Sequence, residues 1–368
     1  MSRRGSVKDA ESHRAPADPH PLFSAQPVLP AQELGEARLE PGLPDGRPQK
    51  VLRIDVTGAP ANLLGRLLIG SYITGQDQVL VTARDGITGP QRAEIRRAAD
   101  RILGMSIVGE TPTTVEVQNF LDPGKYELPR LLHRVVQMLR AELAVCHAAL
   151  ADGETRPLDV IEELEQEVDR FYILMVRQLL LSSDNPRIAH NIDVESHHYQ
   201  IGDRLVAKVL EVLGDLFQGI GSDLEKVVPT LHRQAPKVAR EFARRVERLD
   251  RTLARTMDAF GHLSIVEANS LLNSLTQLLP KQTGYGQEIA RLVSDRKTAA
   301  GAQRICCSLD MALEMLIIVN EVTINRGVEP ATEIPPPARS KRPSQSVRSN
   351  RDRSETQIAI RGPRRKVR

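Results

Sequence analysis

From Leu128 onward apolar residues recur at three- and four-residue steps, whereas between residues 51 and 121 they alternate in short runs. The two periods predict two kinds of structure. In the earlier stretch VLRIDV (51–56) predicts a strand, ANLLGRLLIGSYI (61–73) a helix and DQVLVTA (77–83) a second strand. TGPQRAEIRRAADRIL (88–103) then predicts a second helix, and SIVGE and TTVEVQNFL two closing strands, with Gly75, Gly86 and Gly104 as turns and caps. The order is βαβαββ. In the later stretch three helices are expected over 128–153, 157–183 and 196–221, the last stopping near Gly219 and Gly221. A second trio follows at about 230–258, 263–279 and 287–325. Two successive trios suggest an internal repeat of about 95–105 residues, and short connections make each trio an antiparallel three-helix bundle.

The resulting fold class is mainly α, with two tandem three-helix bundles preceded by a small α/β module. The domains are a disordered leader (1–50), the α/β module (51–122), the first bundle (123–222), the second bundle (223–327) and a disordered basic tail (328–368). The leader is assigned on eight prolines among residues 1–48, and the tail on Pro335, Pro336 and Pro337 followed by Ser, Arg and Asn.

Composition narrows the function classes. Aromatics are 3% of the 368 residues and Trp is absent, so the core is built from Leu, Val, Ile and Ala. That suits helix-on-helix packing and disfavours single-stranded nucleic-acid binding, which relies on aromatic stacking. The net charge of +3 conceals an uneven distribution. From Arg339 to Arg368 eleven Lys/Arg face two acids, a tail charge of +9 that leaves −6 on the rest. Cys146, Cys306 and Cys307 form neither a disulfide framework nor a CxxC motif, which fits a reducing, cytoplasmic setting. No apolar run is long enough to span a bilayer.

Candidate chemistry lies in acid pairs four residues apart. Carboxylates at that spacing share a helical face and repel, so an inward-facing pair needs Arg, Lys or a metal as counter-charge. With 47 acids in the chain, about six such pairs arise by chance, usually on a solvated face. Glu165 and Asp169 flank the stripe of Ile161, Leu164, Val168, Phe171, Tyr172, Met175 and Leu179. Glu211 and Asp215 interrupt a run that is apolar on most of its circumference, from Val209 to Phe217. Asp310 and Glu314 do the same in SLDMALEMLIIVNE. Three pairs in matching places of a repeat point to a site for a hard cation.

LEQEVDRFYILMVRQL, RLVAKVLEVLGDLFQGI and CSLDMALEMLIIVNEVTINR resemble the helices of the PhoU family of phosphate-uptake regulators. LLGRLLIGSYITGQDQVLVT and RRAADRILGMSIVGE resemble the α/β segment that precedes them in archaeal-type members, so the likeness spans about residues 60–326. The resemblance implies two tandem three-helix bundles, often a dimer, with Glu165, Asp169, Glu211, Asp215, Asp310 and Glu314 as metal ligands. It implies a divalent or trivalent cation (iron, zinc, magnesium or manganese). It also implies repression of phosphate uptake and signalling through contact with a phosphate ABC transporter ATPase or a sensor kinase, without enzymatic activity. Three features depart from the family pattern. Val212 replaces the usual Arg, Asn269 and Asn273 stand where acids are expected in the fifth helix, and residues 1–50 lack an AbrB-like DNA-binding pattern.

Other features are weaker. Lys237, Arg240, Arg244, Arg248, Arg251 and Arg255 form a basic face, but Glu241, Glu247 and Asp250 are interspersed, as on a solvated surface. With the basic tail, this face supports the alternative of a DNA-associated transcriptional regulator that binds weakly and salt-dependently. His197 and His198 are expected as surface or capping residues. Neither a GxSxG, Walker, HExxH nor dinucleotide motif is present.

Overall fold

A computed structural model describes residues 50–60, 62–194, 196–282 and 285–329, together with the backbone of two strands, β1 (Gly35–Ala37) and β6 (Ser354–Ala359). The described chain is mostly helical, with a small sheet towards its N-terminal end.

The α/β part follows the predicted order: β2 (Val51–Asp55), α1 (Leu63–Ile73), β3 (Gln78–Thr82), α2 (Gly89–Asp100), β4 (Met105–Glu110) and β5 (Thr114–Asn119). Strand β2 pairs parallel with β3, while β3–β5 and β5–β4 are antiparallel. Alternation decides which face is covered. Leu52 and Ile54, Val79 and Val81, and Val115 and Val117 point to one side, where they meet Leu64, Leu68 and Tyr72 of α1 and Ile95 of α2. Helix α2 starts on a capping box between Thr88 and Gln91. Gly104 turns the chain into β4 with φ +79°, and a Cβ there would lie 2.3 Å from Leu121 Cβ. Gly104→Ala is therefore expected to cost about 2–3 kcal/mol in urea denaturation, from left-handed strain plus overlap with the packed loop.

Two short strands are described within the stretches expected to be disordered. Ser354–Ala359 pairs parallel with β2, and Gly35–Ala37 pairs antiparallel with β6. The remainder of the expected leader and tail lies outside the described residues.

The helical part comprises α3 (Leu128–Asp152), α4 (Ile161–Asp184), α5 (Pro186–Asn191), α6 (His197–Gln234), α7 (Pro236–Gly261), α8 (Ile265–Gln282), α9 (Tyr285–Leu292) and α10 (Arg296–Val328). Helices α3, α4 and α6 pack on one another, as do α7, α8 and α10, and α6–α10 and α3–α7 contacts join the two groups. One continuous apolar core runs through them, from Leu128 to Val322.

Two helix predictions need correction, and one short helix adds to them. Helix α6 does not stop at Gly219 and Gly221 but continues through Pro229 to Gln234, so the expected boundary at 222/223 falls inside it. Gly221 serves close approach instead: a Cβ there would lie 2.7 Å from Ile161 Cδ1. The expected helix 287–325 is two helices, because Asp295 caps α10 by accepting the Thr298 N–H at 2.8 Å and the Thr298 hydroxyl at 2.7 Å. The short helix α5 was not foreseen; Asn185 caps it by accepting the Arg187 N–H at 3.1 Å.

Helix α4 belongs to both halves of the fold. Val168, Met175 and Leu179 enter the helical core, while Ile173 enters the core of the sheet. Arg177 and Asp77 form a fully buried ion pair, Nη2 to Oδ1 at 2.7 Å. Arg177 also donates to the Tyr72 and Gln76 carbonyls and lies 4.6 Å over the Tyr72 ring. Asp77 accepts the Lys50 N–H as well, at 3.1 Å.

Candidate functional site

The first two predicted acid pairs come together along the seam between α4 and α6. Glu165 and Asp169 on α4 are partly sheltered, as is Glu211 on α6, while Asp215 is exposed. They do not point into the core; they line its rim. Burial raises the pKa of Glu165 to about 7, with the charges of Asp169, Asp215 and Glu211 adding to the effect and Arg101 opposing it. Burial and Asp169 likewise raise Asp215. Glu211 is raised by burial, against the pull of Lys208. The mutual influence identifies one electrostatic group built from two helices.

A fifth acid joins them. Glu142 of α3 is 0% exposed, and neither carboxylate oxygen has a hydrogen-bond partner among the described residues. Burial, then the charge of Glu165, raises its pKa to about 9, so it is neutral at pH 7. Pair spacing does not detect this residue, because α3 carries no acid four residues away. The available signal was its phase: Glu142 falls in the stripe of Val135, Met138, Leu139 and Cys146, all buried.

The counter-charges in this structure are cationic side chains. Arg101, which caps the C-terminus of α2, pairs with Asp169. Lys208 pairs with Glu211, and Gln218 Nε2 lies 3.4 Å from Glu165 Oε2. Among the described residues no group of three or more His, Cys, Asp or Glu side chains stands ready to hold a metal ion. An ion would have to draw the carboxylates together and replace the cations now beside them.

The third pair lies elsewhere in the electrostatics of the fold. Asp310 is half-buried and Glu314 is exposed on α10. Burial raises the Asp310 pKa, opposed by Arg245 and reinforced by Glu314. Arg245 of α7 is buried and lies 3.9 Å from Asp310 Oδ1 and 3.3 Å from both Glu241 Oε1 and Cys306 Sγ. Its guanidinium sits 4.2 Å over the Tyr285 ring. This pair thus has a resident internal cation, and Asn269 and Asn273 of α8 are exposed.

No protein-family model, no curated protein and no solved structure matches this chain. The site's chemistry therefore rests on its own residues. Its oxygen donors suit hard cations such as Mg2+, Mn2+ or Fe3+ more than Zn2+, which favours nitrogen and sulfur.

The remaining candidates resolve as surface features. Arg244, Arg251 and Arg255 of α7 pair with Glu241, Glu247 and Glu267, so acids offset much of the basic face. His197 and His198 are exposed beside the cap residue Ser196, which accepts the Tyr199 N–H. Sequence spacing gave no sign of a cavity of about 440 Å3 where the ends of α3, α6, α7 and α10 converge. Its wall includes Arg326, which pairs with buried Asp203 at 2.6 Å between the Tyr199 and Phe260 rings. Among the described residues no helix is long and apolar enough to cross a membrane.

Proposed function

We propose that this chain is a PhoU-like, non-enzymatic cytoplasmic regulator of phosphate uptake and phosphate signalling. On this reading α3, α4 and α6 form the first of two tandem three-helix bundles, and α7, α8 and α10 the second. The protein acts, as a homo-oligomer, by contact with the ATPase of a phosphate transporter or with a sensor kinase. A divalent or trivalent cation bound by Glu165, Asp169, Glu211 and Asp215 fixes the surface it presents. The observation that carries the reading is the convergence of these four acids with Glu142, whose buried oxygens have no hydrogen-bond partner among the described residues. Four mutually repelling acids, beside a buried carboxyl kept neutral, are unfavourable in a fold unless positive charge is brought to them. Asp310 and Glu314 already have Arg245 nearby, which supports the first cluster over the third pair on this reading.

Mn2+ added to the metal-free protein should raise its melting temperature. The gain corresponds to about 2.7 kcal/mol at one hundred times the dissociation constant. Glu211→Gln combined with Asp215→Asn should abolish the gain while leaving the metal-free melting temperature equal or higher, since like charges are removed. Equal stabilisation of both proteins would place the cation elsewhere, and none in either would remove it from the mechanism. The regulatory part is tested in cells: deleting the gene should raise phosphate uptake in phosphate-rich medium, and unchanged uptake would refute it.

A further inference from the structure

The acid cluster and the α/β part meet at one side chain. Helix α2 ends at Asp100, and Arg101 reaches from its C-cap to Asp169 on α4. Beside it Arg170 returns the contact, donating to the Asp100 carbonyl at 2.6 Å. Along α4 this junction lies eight residues before Arg177, about two helical turns or 12 Å. The two fastenings differ in kind. Arg177 and Asp77 are fully buried, whereas Arg101 is 57% exposed. A buried pair is costly to break, while an exposed one is weak and readily exchanged. The third acid pair, Asp310 and Glu314, has its own buried guanidinium, Arg245, from within the helical part. The first pair borrows a cationic neighbour, Arg101, from another part of the fold.

We infer that Arg101 is an exchangeable counter-ion of the acid cluster, and that a cation binding there displaces it and loosens the C-terminal end of α2 on α4, leaving the Arg170–Asp100 hydrogen bond as the remaining contact there. The α/β part stays attached through Arg177 and Asp77, so occupancy of the cluster becomes a local loosening around Asp100 and Arg101 and not a separation. Cation binding is thereby read out on a surface that includes two parts of the fold. This inference rests on the proposed cation site and adds its regulation. The charge balance is direct: a divalent ion supplies more positive charge than the guanidinium it replaces, and the displaced Arg101 side chain passes into water.

The test is Mn2+ titration of the full chain by calorimetry, with wild type, Arg101→Ala and, as a charge-loss control at a distant exposed site, Arg130→Ala. Arg101→Ala should bind Mn2+ about five- to tenfold more tightly than wild type, the competing ion having been removed. Arg130→Ala should bind as wild type does. Deuterium exchange supplies a second readout, independent of affinity. Saturating Mn2+ should speed amide exchange at the end of α2 in wild type, towards the rate that Arg101→Ala shows without metal. Equal affinities of wild type and Arg101→Ala, or slower exchange at the end of α2 with Mn2+, would overturn the inference and leave the cation site standing. If neither protein binds Mn2+, the cation site itself falls and the inference falls with it.

Discussion

Replacing Arg177 by leucine will lower the unfolding free energy by about 3–5 kcal/mol, the cost of leaving one member of a buried ion pair behind. Asp77 and Arg177 are both 0% exposed, and the guanidinium also serves the carbonyls of Tyr72 and Gln76. Leucine supplies no donor to any of these acceptors and does not reproduce the contact with the Tyr72 ring. The loss couples the two cores, because Arg177 stands on α4 while its partners lie at the end of α1 and before β3. Urea denaturation of Arg177→Leu, Asp77→Leu and the double variant forms the decisive cycle. The double variant should be more stable than either single one, since an apolar pair needs no charge compensation. A single-variant loss below about 1 kcal/mol would show that the pair is not the fastening described here.

Glu142→Gln will have the second large effect, and its sign depends on pH. In the folded chain Glu142 holds its proton up to about pH 9, against an ordinary value of 4.5. Below pH 4.5 both folded and unfolded chains carry the proton, and its contribution to stability is fully present. Between there and pH 9 only the folded chain keeps it, so stability falls with rising pH, by about 1.4 kcal/mol per unit. Above the folded value both states are ionised and the contribution is gone. Glutamine does not titrate, so in metal-free buffer the variant should gain on wild type steadily from pH 5 to pH 8. Its amide, buried without partners, lowers the whole curve by a constant amount. Denaturation at four pH values reads the slopes, and parallel curves would refute the assignment. Saturating Mn2+ should flatten the wild-type slope, because a cation beside the cluster favours the ionised carboxylate.

These two residues mark where sequence reading stopped. The acid pairs were legible because spacing of four places both carboxylates on one helical face whatever the tertiary fold. Their surroundings were not. Arg101 is 68 residues from Asp169, and Arg177 is 100 residues from Asp77. No local period connects such positions. Glu142 was visible in principle, as an acid in phase with Val135, Leu139 and Cys146, but a search for pairs passes over a single residue.

The sequence by itself determined the elements: the βαβαββ order, the long amphipathic helices and the common face of each acid pair. Hydrophobic period and capping chemistry act over a few residues and survive in any context. Glycine was ambiguous at that range. Gly221 reads as a helix stop, yet lies within α6 because Ile161 packs where its side chain would be. Only the tertiary structure decided that, along with the meeting of α3, α4 and α6 around five acids, the resident guanidinium at Asp310 and the reach of Arg101 across to α4. Burial and counter-charge are properties of neighbours in space. The same carboxylate spacing is a solvated rim or a cation site according to what the fold brings beside it.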